Sequence, residues 1–273
     1  MADHKDFVGE NDQILEEWEK FNKKVEKEPN FAPDGILFKG KISDEDGYSE
    51  RYSNKKVENK LWQDAPIRYL FLTKDQNAWG EGAWDVRSET ARKYKSSTSI
   101  PYLFFRNLLY LIYGLTHTSK NGYIAYEDFT NEQAIFTYDN EAIARINVKK
   151  QAGGSSISNK DLQNYLERDK TYILRQIECL DADLIICCGY SESVEDSGNL
   201  ILNFLNNNGY HFEEEIKGYI YYDHKNNKAA INAWHLSYRG VTQKEFYDGI
   251  ITAYHEFLKK NPTFLESHRT KQK

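Results

Sequence analysis

Cysteine is scarce in this chain: Cys179, Cys187 and Cys188 are the only three. An adjacent pair is poorly placed to bridge within one strand. No CxxC pair is present to hold zinc or an iron–sulfur cluster. The three therefore read as reduced core thiols, the state expected of a cytoplasmic protein. Long apolar runs are missing as well: none approaches the roughly 18 residues of a membrane-spanning helix. Residues 1–20 are charged, without the apolar stretch of a signal region. A soluble, intracellular protein with no membrane partner is expected. Positive charge is in deficit, with 36 Lys and Arg against 42 Asp and Glu, a net −6. That balance argues against a general electrostatic coat on nucleic acid but leaves room for a local basic groove. No GxSxG elbow supports a serine hydrolase, and Gly153-Gly154 lacks the context of a phosphate cradle. No internal repeat or clear linker divides the chain.

What is present suffices for a core: 40% hydrophobic residues, with 20 Tyr and 14 Phe. Residues 11–28 carry Ile14, Trp18, Phe21 and Val25 at helical spacing, and residues 34–60 are polar and irregular. A strand–helix rhythm begins near residue 66. Ile67–Thr73 reads as a strand, Tyr102–Leu115 as a strongly apolar helix, and Asn131–Phe136 as a short helix. Ala144–Val148 is a second strand, and Leu162–Leu180 a helix with Ser158 and Asn159 upstream as capping residues. Asp183–Cys188 is continuously apolar, the pattern of a strand buried on both faces. A helix at Glu195–Asn207 follows. Then Glu214–Asp223 and Lys228–Ala233 flank Lys225-Asn226-Asn227 as a hairpin. Thr242 and Glu245 form a capping box at the start of a last helix, Thr242–Lys259. The alternation predicts an α/β fold with a largely parallel sheet covered by helices on both sides.

Ligands of open parallel sheets collect outside the carboxyl ends of the strands. Three such ends are polar here. The first strand ends in Thr73-Lys74-Asp75-Gln76-Asn77, with Trp79 and Trp84 beyond. The second ends in Asn147-Val148-Lys149-Lys150, and the last in Trp234-His235-Leu236-Ser237. Taken singly, each has a plainer reading: Asp75 capping a turn, Asn147 satisfying loop backbone, His235 as a structural hydrogen-bonder, the tryptophans as packing. Their joint placement at three strand ends is what predicts a site.

With those residues assembled, the chain resembles the uracil-DNA glycosylase superfamily over residues 66–260. Asp75 falls on the carboxylate of the family's water-activating motif. Asn147, in Arg145-Ile146-Asn147-Val148-Lys149-Lys150, matches the base-reading Asn. His235-Leu236-Ser237 matches the late His-Pro-Ser motif, and the helix carrying Gln176 before ADLIICCG matches a helix and strand of the iron–sulfur branch. Lys74, Gln76 and Leu236 depart from the motifs. Asn77 stands where some members carry a thymine-blocking Tyr, and a cluster-binding cysteine set is absent.

The resemblance implies a three-layer α/β/α sandwich with a mainly parallel central sheet at residues 61–262. Residues 1–60 would pack on it as an N-terminal extension, and residues 263–273 would be a polar tail. It implies hydrolysis of the N-glycosidic bond of uracil or a related base in DNA. Asp75 and His235 would be catalytic. Asn147, Trp79, Lys74 and Asn77 would bind the base, with Trp79 as its aromatic floor and Trp84 second. Lys149, Lys150, Ser237, Tyr238 and Arg239 would contact nucleic acid. No cofactor or metal is expected, the partner is DNA or a nucleobase or nucleotide, and the protein is expected to be a monomer. Two other readings stand beside this one. One is a non-catalytic or altered member that binds a nucleobase, nucleotide or modified nucleic acid. The other is an unrelated α/β hydrolase or transferase using the same strand ends.

Overall fold

In the computed structural model, residues 5–26, 30–45, 48–77, 82–91, 100–154, 157–192 and 198–265 are described. Strand β4 (Tyr69–Thr73) is buried throughout, as its run of apolar residues requires. Its side chains alternate between two cores: Tyr69 and Phe71 enter one, Leu70 and Leu72 the other. β5 (Ile143–Asn147) and β6 (Leu184–Ser191) lie parallel on either side of it, and β10 (Lys228–Trp234) lies parallel beyond β6. The edges are antiparallel. β1 (Gly35–Ile36) joins β5, β9 (Ile220–Asp223) joins β10, β8 (Glu213–Ile216) joins β9, and the short β7 (Gly198–Asn199) joins the end of β6. The fold is thus α/β, with a mixed sheet that is parallel at its centre in the order β1-β5-β4-β6-β10-β9-β8. A separate hairpin pairs β2 (Ile42–Glu45) with β3 (Tyr48–Arg51).

Helices α3 (Leu103–Thr116), α4 (Asn131–Asn140) and α8 (Gln243–Lys260) contribute to the core that holds Phe71 and Ile186. The core that holds Leu72 and Cys187 takes residues from α1 (Phe7–Val25), α2 (Lys55–Asp64), α5 (Asn159–Arg168), α6 (Lys170–Leu180) and α7 (Leu200–Asn206). All three cysteines are free and buried.

Several elements differ from the sequence reading. The single helix expected at 162–180 is two helices meeting at Asp169, whose backbone (φ −99, ψ 7) leaves the helical range. Its fully buried carboxylate is held by Arg168 at 2.7 and 2.8 Å, so a satisfied ion pair accompanies the break. The strand expected at 214–223 is β8 and β9, folded back at Gly218 with φ +76, a conformation that suits glycine. Of the helix expected at 195–207, residues 195–197 lie outside the described residues. α7 begins at Leu200, where the Asn199 carboxamide accepts the N–H groups of Ile201 and Leu202. Helix α1 starts earlier than residue 11, capped by Asp6. The Thr242–Glu245 capping box is present as read, and a second one, Thr130–Gln133, starts α4.

Candidate ligand site at the carboxyl edge of the sheet

Because β5, β4, β6 and β10 run parallel, their carboxyl ends emerge on one edge. Thr73 and Asn147 are register partners at that edge. The two chains continue side by side past it. Val148 N–H donates to Thr73 O, Lys149 N–H to Lys74 O and Gly153 N–H to Gln76 O, each at 2.9 Å, and Asn77 bridges Gly153. Asp75 is therefore held beside the segment after β5, and Lys149 Nζ reaches its carboxylate at 3.1 Å. A Cβ at Gly153 would meet that ammonium at 2.8 Å, so a larger residue there would make the Lys149 side chain shift.

Asn147 is 2% exposed. Thr73 Oγ1 donates to its Oδ1 at 2.6 Å, while Nδ2 is buried with no partner among the described residues. Its backbone is fixed by a buried charge cluster. Asn147 N–H donates to Asp34 Oδ2 at 2.7 Å, and Lys150 Nζ donates to Asn147 O at 2.9 Å. Asp34 and Lys150 are themselves paired at 2.5 Å with both side chains at 0% exposure. Gln176 closes the cluster, donating to Asp34 Oδ1 at 2.9 Å and accepting from Lys150 at 3.1 Å. Burial pulls the Lys150 pKa down and the Asp34 charge opposes it.

These contacts correct the expectation that Lys149 and Lys150 face nucleic acid. The Lys150 ammonium is enclosed against Asp34 and the Trp18 ring, 4.6 Å away. Lys149 spends its donors on Asp75 and on Gln151 O at 2.6 Å. A charge neutralised inside the fold offers no counter-ion to a phosphate.

His235 follows the end of β10, about 10 Å from β4 at the usual strand spacing. Its ring lies 5.6 Å from Phe104, and Ser237 N–H donates to Nδ1 at 3.3 Å. Burial, then the positive charges of Lys74 and Arg145, push its pKa down to about 4. The imidazole is thus neutral near pH 7. With Nδ1 accepting, the proton sits on Nε2. Arg145, two residues before Asn147, lays its guanidinium 5.1 Å from the same Phe104 ring and pairs with Glu89, leaving Nε without a partner. Lys74 is held below the usual lysine range by burial, with Asp75 opposing.

Asp75, Asn147, His235, Lys74 and Asn77 thus share this edge. Ser237, Tyr238 and Arg239 are exposed beside it, with Tyr238 stacked on Trp234 at 5.5 Å. Trp79 lies outside the described residues. Trp84 is 36% exposed, and its backbone is clasped by the Gln76 amide at 3.0 and 3.2 Å, so Gln76 serves structure here. Sequence reasoning missed Arg145, Glu89, Phe104 and Asp34. Only Arg145, a charge inside an apolar strand, carried a readable signal.

Among the described residues, no group of three or more His, Cys, Asp or Glu is placed to hold a metal, and no helix is long and apolar enough to cross a membrane. A cleft of about 140 Å³ lies at the opposite edge, lined in part by Ile185, Tyr210 and Lys228. Its lysine is already bound by Asp181 at 2.6 Å. No family model, curated protein or solved structure matches this chain.

Proposed function

We propose that the protein is a divergent uracil-DNA-glycosylase-like enzyme, built as a three-layer α/β/α sandwich. It would hydrolyse the N-glycosidic bond of uracil or a related base in DNA. The observation that carries this reading is the meeting of Asp75, Asn147 and a neutral His235 at one sheet edge. Breaking the bond leaves cationic character on the sugar and negative charge on the departing base. Asp75 would orient a water and stabilise the cation, an effect typically of about 10²–10⁴-fold. His235, donating from Nε2, would stabilise the anion without itself carrying charge. Asn147, with Oδ1 tied to Thr73, would offer the base only its N–H donors and so would favour a keto oxygen over an amino group.

One observation favours a second reading, in which the site binds a nucleobase or nucleotide without cleaving it. The Asp75 carboxylate is engaged by the Lys149 ammonium, and a paired carboxylate is a weaker base. A single assay separates the two. Uracil-containing single- and double-stranded DNA is incubated with the protein and treated with alkali. Strand breakage at uracil supports excision, binding without breakage supports the second reading, and neither result rejects both. For excision, Asp75→Asn is expected to lower base release by about 10²–10⁴-fold with an unchanged circular dichroism spectrum. Wild-type rates in that variant remove Asp75 from the mechanism.

A further inference from the structure

The groups gathered at the strand ends are nearly all donors. Asn147 Nδ2 and Arg145 Nε are buried without partners among the described residues, and the two residues are 2% and 4% exposed. Leaving such groups unpaired is a standing cost that an arriving acceptor removes. His235 offers its Nε2 proton, since Nδ1 already accepts from Ser237. Lys74 contributes a partly buried ammonium that feels the charge of Asp75. Three neighbouring side chains that could accept are engaged: Asp75 Oδ2 by Lys149, Glu89 Oε2 by Arg145, and Asn147 Oδ1 by Thr73. Those pairings cancel two carboxylates and leave Lys74 as the surplus charge. Arg145, His235 and Lys74 belong to one neighbourhood, and Asn147 lies two residues beyond Arg145 on the same strand. The Phe104 ring contacts both Arg145 and His235, and Lys74 and Arg145 both act electrostatically on His235.

We propose that this strand end binds a phosphate-type oxyanion. The donors come from the ends of β4, β5 and β10 and from within β5, so a ligand at this edge would be met from three strands. Several donors suit a phosphate, which offers more acceptor oxygens than the two of a carboxylate, and each bond to it is charge-assisted. The anion is either free phosphate or the phosphate of a nucleotide. The proposal gives to phosphate the donors that the glycosylase reading gives to the base, so it is an alternative use of the same site and does not depend on bond cleavage.

The test is calorimetric titration of the full-length protein with inorganic phosphate, with deoxyuridine monophosphate and with uracil, at physiological salt. Phosphate and the nucleotide are expected to bind and to compete. Tighter binding of the nucleotide identifies it as the source of the anion, and equal affinity identifies free phosphate; either upholds the site. Lys74→Met, at a half-buried position that tolerates the change, is expected to weaken both by about tenfold or more. Asn147→Asp places a carboxylate among the donors and is expected to do the same. Absence of phosphate binding, or unchanged affinity in Lys74→Met, overturns the proposal. Uracil binding without phosphate binding overturns it while sparing the glycosylase reading. Phosphate binding without abasic sites in uracil-containing DNA does the reverse.

Discussion

Asn147 is tied at three of its four polar groups: backbone N–H, backbone carbonyl and side-chain oxygen. The fourth, Nδ2, is buried with no partner among the described residues. The tie depends on Lys150 and Asp34, which lie 116 residues apart in the chain. Removing one member of a buried pair leaves the other uncompensated, a loss of about 3–5 kcal/mol. Lys150→Met should therefore lower unfolding stability by that amount in urea, with Asp34 left unpaired under the Asn147 amide. Adding Asp34→Leu should recover part of the loss, because the stranded charge is then gone. Equal stability of Lys150→Met and the wild type would show that the pair is not formed in solution. This residue also marks a limit of sequence reading. Lys149-Lys150 looks like a solvated basic pair, and nothing local says that the second ammonium is fully buried. Its partner, in the irregular stretch after Pro33, carries no pattern that announces it. Asp75, Asn147 and His235 were legible because they terminate apolar strands, where polarity is conspicuous.

At the scale of elements, the readable parts were those with strong local chemistry. β4 and β6 announce themselves by apolar runs, and α8 by its cap. The break between α5 and α6 was hidden because Leu166, Ile173, Ile177 and Leu180 keep a helical period across it, and all four sit in one core. β8 and β9 were merged because the turn at Gly218 interrupts an otherwise continuous strand-like composition. β1 is only two residues long and pairs at the edge of the sheet, too short for any period to show. The capping box permits a direct check. Thr242 accepts from the Glu245 N–H at 3.2 Å, and Glu245 accepts from the Thr242 N–H at 2.8 Å. Thr242→Ala removes one of these at an exposed position and should cost about 1 kcal/mol. A loss near zero in urea unfolding would mean that solvent replaces the cap without penalty.

Across the whole molecule, the site end of the sheet is tuned to keep an imidazole uncharged, and stability should record this. His235 titrates near 4 in the folded protein against 6.5 for the free side chain. As pH falls below 6.5 the unfolded chain takes up a proton that the folded protein refuses until about 4. The unfolded state then binds more protons, so stability falls as pH is lowered across that window. Above 6.5 both states are neutral at this position and the contribution is constant. The cause is structural: the imidazole is shielded from water by burial, and protonation would add a third positive charge beside Lys74 and Arg145. His235→Gln keeps a polar side chain there but cannot titrate. The difference between the urea midpoints of wild type and variant should hold steady above about pH 6.5 and then shift steadily against the wild type down to about pH 4. Addition of phosphate, if it binds among the same donors, should reduce that slope, because its negative charge favours protonated His235 in the folded state. Parallel midpoint curves for the two proteins would show that His235 titrates as a free imidazole and that Lys74 and Arg145 do not share its pocket.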